Sequence, residues 1–316
     1  MIALAEALGL PFEIRQLEYN ALCHLGPRLL GRSMASLTSK SRASLLRDEP
    51  PDLTISAGHR SVPIVQALRT RSGGRLRSIH VGFPRISPRK FDLVIATPQY
   101  PIPDQPNLLR LPFALTRAMT AAADPADEAL LTSLPQPRRL LIVGGPTLFW
   151  TIDQASLLDT LRHLLKKTEQ QGGSVMVTTS PRTPRELERS LAETLAASDV
   201  PTLLAAPGKP PRYSSLLAAG DSLHVTADSV SMVSDAIWTG KPTALVPIRK
   251  SPAGRIYFAV MDNFRRGRPV YPQDLRFFWR ALGDIGVTEQ LGTPKASTAE
   301  ELRKIRERIE TLLSRT

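Results

Sequence analysis

Residues 225–248 read VTADSVSMVSDAIWTGKPTALVPI. The stretch opens and closes on short apolar runs, and between them Val230, Val233 and Ile237, with Met232 and Ala236, recur at helical spacing. Strand, helix and strand in so short a span is a βαβ unit, which implies a parallel sheet. Asp228 offers an N-cap, and Gly240 before Lys241-Pro242 offers a stop. The junction and one helix edge are polar: Asp228, Ser229, Ser231, Ser234 and Asp235. Asp228, Ser231 and Asp235 follow i, i+3, i+7 spacing and line one edge. A helix N-terminus attracts phosphate through its free N–H groups and its dipole. Asp235, two turns in, is placed to accept hydrogen bonds from the vicinal hydroxyls of a ribose or hexose. A well-capped helix with a wet face would look the same, and the residues alone leave both readings open.

Two further strand ends in the same half are polar. Ligands of open α/β sheets bind just outside the carboxyl ends of the strands. LLIVGGP (140–146) puts Gly144 and Gly145 there, which suits either close approach of a phosphate or a tight turn. VMVTTSPRTP (175–184) ends in Thr178, Thr179, Ser180 and Arg182, hydroxyls and a guanidinium that could grip a diphosphate. Pro184 then starts a helix in the ordinary way.

The same alternation runs through the rest of the chain. A helix, IALAEALGL, stops at Gly9-Leu10-Pro11, and FEIRQLEY (12–19) reads as a strand. PDLTISAG (51–58), RSIHVG (77–82), FDLVIATPQ (91–99) and NLLRLP (107–112) are further strands, with a helix after the first. Residues 121–138 are rich in Ala and Pro and read as a linker. The expected organisation is an α/β domain over 1–120, that linker, a second α/β domain over 139–292, and an amphipathic C-terminal helix over 293–316. In the tail Leu302, Ile305, Ile309 and Leu312 form the stripe of a helix that packs on a domain.

Composition narrows the classes. The 316 residues are 42% hydrophobic and 22% charged, enough for two cores. No apolar run approaches a spanning helix, and MIALAEALGLPFEI lacks the basic start of a signal peptide, so the expectation is a cytoplasmic protein, peripheral on the inner membrane at most. Cys23 is the single cysteine, which excludes an internal disulfide. No D-x-D occurs and the five histidines form no H-x-x-x-H pair, so neither a metal-bound diphosphate nor any other metal is expected, and no cofactor. No G-x-G-x-x-G follows a strand, which counts against a dinucleotide-dependent epimerase.

The net charge is +12, and two thirds of the excess lies in residues 1–120, in runs such as RTRSGGRLR (69–77) and PRISPRK (84–90). With aromatics at only 5%, the runs lack stacking residues and do not suit nucleic acid. A phosphorylated ligand or an anionic membrane surface fits better. His59 follows the strand at 51–58 directly and is the candidate general base, with Arg60 and Ser61 beside it as phosphate ligands. His80, inside a strand, reads as core.

The pattern strand–DSVSMVSDAIWTGKP, with PDLTISAGHRSVPIVQALR, IHVGFPR, FDLVIATPQY, LLIVGGP and VTTSPRTP, resembles the elongated-mitochondria (mitochondrial fission) family of plants and its bacterial homologues. That resemblance implies a GT-B-like fold, two Rossmann-like domains with parallel sheets facing across a cleft. It implies a metal-independent glycosyltransferase moving sugar from a nucleotide-diphosphate donor to a saccharide or lipid-linked acceptor of the envelope. The 225–248 stretch is also similar to the donor segment of the lipid-linked peptidoglycan glycosyltransferase. By that similarity Asp235 holds the donor ribose, and Ser229 and Ser231 the diphosphate. Asp235 stands where the related enzymes mostly carry Glu, and the first N-terminal strand of the family pattern is absent from the sequence. The alternative is a non-catalytic membrane- or organelle-division protein on a degenerate GT-B fold.

Overall fold

The structure is a computed structural model that describes residues 1–116, 124–265, 267–270, 273–296 and 298–314. The chain divides into two compact units: Met1–Leu111, Tyr271–Gln273 and Ala299–Thr316 form the first, Pro112–Val270 and Asp274–Thr298 the second.

The first unit contains helices α1 (Ile2–Leu8), α2 (Gly26–Leu30), α3 (Ser39–Arg47) and α4 (Val62–Arg71). Its strands are β1 (Leu53–Ala57), β2 (Arg77–Val81), β3 (Leu93–Ala96) and β4 (Leu108–Arg110), all parallel and in sequential order. A four-residue β3 that is buried throughout shows why LVIA reads as a strand without alternation: both faces of a parallel sheet are covered. FEIRQLEY is not a strand; only Tyr19 makes an isolated bridge, to Leu37. The segment joins no sheet edge, and Phe12 and Ile14 stay about half exposed at 48% and 53%, so its alternation has no buried face to serve.

Part of the N-terminal arginine excess is structural. Arg71 donates to the carbonyls of Leu45, Leu46 and Asp48, satisfying the end of α3. Arg69 and Arg77 pair with Asp92 at 3.0 and 3.7 Å, and Asp92 also accepts from the Ser78 amide and hydroxyl. Arg75, Arg89 and Lys90 are exposed.

The second unit begins with α5 (Pro125–Thr132), where the linker was expected. Asp124 caps it, and the buried Asp127 accepts from the Arg212 amide, so a stretch that reads as loose is tied down by its acidic residues. Residues 117–123 of the expected boundary lie outside the described residues. Then come β5 (Arg138–Val143), β6 (Trp150–Thr151), α6 (Gln154–Gln171), β7 (Ser174–Thr179), α7 (Arg185–Ala196), β8 (Thr202–Ala205), α8 (Tyr213–Ala219), β9 (Ser222–Thr226), α9 (Val230–Trp238) and β10 (Thr243–Val246). β11 (Arg249–Lys250) pairs antiparallel with β6, and α10 (Pro252–Arg265) and α11 (Leu275–Asp284) follow. The C-terminal helix α12 (Thr298–Leu313) buries Ile305 and Ile309 and belongs to the first unit.

The five-stranded parallel sheet has the order β10-β9-β5-β7-β8. The chain walks from β5 to β8 in one direction, then returns past β5 and walks to β10 in the other. With right-handed crossovers, α6 and α7 lie on one face and α8 and α9 on the opposite face. Leu157, Leu161, Leu164, Leu187 and Leu191 of α6 and α7 pack on Leu141, Val143, Val175 and Val177 of the sheet. The reversal leaves a crevice outside the carboxyl ends of β5 and β9, the position where sheets of this order bind ligands.

Candidate functional site

Three loops meet at that crevice: residues 144–147 after β5, 180–184 after β7 and 227–229 after β9. Asp228 joins them. Its side chain is fully buried; Oδ2 accepts from the Gly145 amide at 3.0 Å and from Arg182 Nη2 at 3.0 Å, and Oδ1 accepts from Thr226 Oγ1 at 2.6 Å. Thr226 in turn accepts from the Gly144 amide at 2.8 Å. Arg182 Nη1 donates to the Gly145 carbonyl at 2.8 Å, and Thr183 Oγ1 to the Gly144 carbonyl at 2.5 Å. A buried carboxylate with three donors, one of them charged, is well satisfied.

The structure therefore corrects one expectation. Asp228 is not the N-cap of α9: Ser229 is, its hydroxyl accepting from the Met232 amide at 3.4 Å. The carboxylate turns back into the sheet because the amide of Gly145 and the guanidinium of Arg182 lie there. The double glycine is required by the protein itself. A Cβ on Gly144 would stand 2.2 Å from Asp228 Oδ1, and one on Gly145 would stand 2.2 Å from the Arg182 carbonyl oxygen. Gly145→Ala must push the two loops apart and is expected to cost about 1–3 kcal/mol. Urea unfolding against the parent chain measures it, and a change below about 0.5 kcal/mol would show that the loop yields freely.

The other residues divide. Ser180 Oγ lies 3.1 Å from Thr183 Oγ1 and accepts from the Arg182 amide, holding the β7 loop in shape. Thr179 donates to Glu188 on α7 at 2.8 Å. Ser234 is fully buried; it donates to the Val230 carbonyl and accepts from the Ala114 amide at 2.8 Å, so it anchors the preceding segment and does not face the crevice. Ser229 is half-buried and Ser231 exposed at the amino end of α9, and Arg182 keeps 44% of its side chain exposed. Asp235 is half-buried beside Tyr213 at the start of α8, and burial together with this carboxylate pushes the Tyr213 phenol up. Sequence reading missed Tyr213, because the 21 residues between it and Asp235 carry no local signal of their proximity. It also missed the clamp, whose trace was the spacing of Thr226 and Asp228 beside a Gly-Gly turn.

In the first unit, His59 is half-buried in the loop after β1, and burial, Arg85 and Arg60 lower its pKa, so the imidazole is neutral at neutral pH. That is the form a base requires. Arg60 is exposed, while Ser61 donates to the Ala57 and Gly58 carbonyls at 3.1 and 2.9 Å, which tightens the β1–α4 turn. His80 is core: it is fully buried, 3.1 Å from Ser56 Oγ, with its pKa lowered by burial to about 4. Among the described residues no group of three or more His, Cys, Asp or Glu could hold a metal ion. No described helix is long and apolar enough to cross a membrane.

Residues 1–265 match the model of the mitochondrial fission ELM1 family. A mitochondrial fission protein ELM1 of Arabidopsis thaliana is 27% identical over 249 residues, covering 69% of this chain and 56% of its own. The chain thus spans about half the length of that relative. Among solved structures, a Listeria monocytogenes protein assigned as a UDP-N-acetylglucosamine 2-epimerase superposes with a TM-score of 0.50 at 12% identity, over 90% of this chain and 82% of its own. The UDP-GlcNAc 2-epimerase of Methanocaldococcus jannaschii gives a TM-score of 0.48 at 13% identity, over 96% and 87%.

Proposed function

The chain belongs to the mitochondrial fission ELM1 family, its fold is GT-B-like, and from these premises we propose that it is a metal-independent glycosyltransferase. The second unit would hold a nucleotide-diphosphate sugar at its crevice. The observation that carries this reading is the clamped Arg182: Asp228 fixes it beside the amino end of α9 while leaving its side chain 44% exposed. A guanidinium preset next to helix N–H groups, with Ser229 and Ser231 alongside, is what a diphosphate needs. Asp235, two turns along α9 and beside Tyr213, would take the ribose hydroxyls. His59 would be the general base, and Arg60 a contact for the acceptor. The acceptor would be a saccharide or a lipid-linked sugar of the cell envelope, reached from the cytoplasmic side of an anionic membrane.

The double glycine, occupied by the protein's own groups, favours a second reading in which the fold serves membrane division without catalysis. Transfer and epimerisation also share this fold, so the test must read product as well as binding. Thermal unfolding of the chain with a panel of nucleotide-diphosphate sugars separates the readings. A donor at about 100 times its Kd is expected to add about 2.7 kcal/mol, and Asp235→Ala is expected to abolish the gain. If no donor stabilises the chain, the transferase reading fails and the scaffold reading stands.

A further inference from the structure

The solvent side of α10 is apolar where a surface helix should be polar. Ile256, Val260 and Phe264, at i, i+4 and i+8, are 70%, 50% and 78% exposed. They form one ridge about 12 Å long. Ala253 and Ala259 are exposed as well, and Leu148, 71% exposed, belongs to the loop whose carbonyl accepts from Ser251 at the start of the helix. The inner side is equally apolar: Phe258 is fully buried against Trp150, Val270 and Leu275, with Tyr257 and Met261 packed beside them. A helix with an exposed apolar ridge as well as a buried apolar face suits contact with apolar matter on both sides.

The charges beside the ridge are mainly cationic. Arg255, Arg265 and Arg268 are exposed along and just beyond the helix. The acidic residue of the helix, Asp262, is held by a bidentate pair with Arg276 at 2.8 and 2.7 Å, which Arg276 shares with Asp274. A convex apolar ridge with cationic borders matches an anionic bilayer, whose acyl boundary accepts a ridge without a preformed groove while its headgroups meet the arginines.

We propose that α10 docks the second unit onto an anionic lipid surface, with Ile256, Val260 and Phe264 inserted at the headgroup–acyl boundary. This rests on the membrane part of the proposed function and is independent of donor binding. It also differs from the N-terminal arginine runs, several of which are tied up inside the first unit.

The test is co-sedimentation of the full chain with phosphatidylcholine vesicles, with and without about 30 mol% phosphatidylglycerol. The parent chain is expected to bind the anionic vesicles and to release them as salt rises. The triple variant Ile256→Ser, Val260→Ser, Phe264→Ser is expected to bind about tenfold or more weakly, with unchanged thermal unfolding. Arg255→Gln with Arg265→Gln, which leaves the ridge intact, is expected to weaken binding at low salt only. The proposal is overturned if the parent chain ignores anionic vesicles, or if the triple variant binds as the parent does. It is also overturned if losing the ridge dissociates a dimer in sedimentation velocity without changing vesicle binding, since the occupant is then a second copy. Donor stabilisation measured on the triple variant keeps a failure here apart from a failure of the transferase reading.

Discussion

Asp228→Ala is expected to destabilise the second unit by about 3 kcal/mol, at the lower end of the range for breaking a buried ion pair. The deletion leaves the Gly145 amide without its acceptor and Thr226 without a partner for its hydroxyl proton, each inside the protein. An unsatisfied buried group costs about 1–3 kcal/mol. Arg182 loses its ion pair too, but water can reach 44% of its side chain, which keeps the total from rising further. The reverse deletion, Arg182→Ala, leaves a fully buried carboxylate with two of its three donors, and the loss is expected to be of similar size. Asp228→Asn, with its oxygen in the Oδ2 place, keeps an acceptor for Gly145 and Arg182 but turns its NH2 toward Thr226 and loses the charge, so its cost should fall between the parent and the alanine variant. Denaturant unfolding of the three variants, followed by fluorescence of Trp150 and Trp279 in this unit, measures the series. Equal stability of parent and Asp228→Ala would mean that the three loops hold their places without the clamp. In that case Asp228 would be free for a ligand, as the sequence first suggests.

That reversal shows what a sequence does and does not disclose. The 225–248 stretch announces a parallel βαβ unit because periodicity and terminal signals agree, and both strands and the helix form where expected. The restart at residue 138 is legible for the same reason. The direction of a side chain at a strand end is not a periodic property. Asp228 and Ser229 are both good caps, and the choice between them was made by Gly145 and Arg182, about 83 and 46 residues away. The strand expected at 12–19 failed for a related reason. Alternation describes a half-buried strand only when a sheet edge lies beside it, and none of the described strands pairs there. The linker expected at 121–138 misread Asp124 and Asp127, which look like solvated charges and act as a cap and a buried anchor.

The arginine runs are also less exposed than their sequence suggests. A run of arginines reads as a surface, yet Arg69, Arg71 and Arg77 neutralise Asp92 or close the end of α3. The exposed cations that remain in the first unit are fewer than the runs suggest. The apolar stripe on α10 becomes legible only in the structure, because the apolar residues of IYFAVMDNF do not say which side of the helix is exposed.

Mild acid is expected to destabilise this protein before its carboxylates protonate. His80 in the first unit and His224 in the second both have pKa values lowered to about 4, His80 by burial, and His224 by burial first and then by Lys167, Arg139 and His163. In the unfolded chain each returns to about 6.5. Below that value the unfolded state binds protons that the folded state refuses, so stability falls as pH falls from about 6.5 toward 4 and is fully present above 6.5. Each histidine contributes a slope of about 1.4 kcal/mol per pH unit in the middle of this window, and about 3 kcal/mol over the whole of it. His80 has the clearer geometry: Ser56 Oγ donates to the Ile79 carbonyl, so Nδ1–H of the neutral ring donates to Ser56, and Nε2 has no partner among the described residues. A proton added there would be buried without an acceptor. Ordinary carboxylates stay ionised between pH 6.5 and 5, so a decline in that interval reports the histidines. Calorimetry at about pH 7.5, 6 and 5 should show transitions of both units moving down together. His224→Gln should flatten the response of the second unit alone, whatever it does to stability at pH 7.5. A stability that stays level to about pH 5 and collapses only near 4 would assign the acid response to ordinary carboxylate protonation instead.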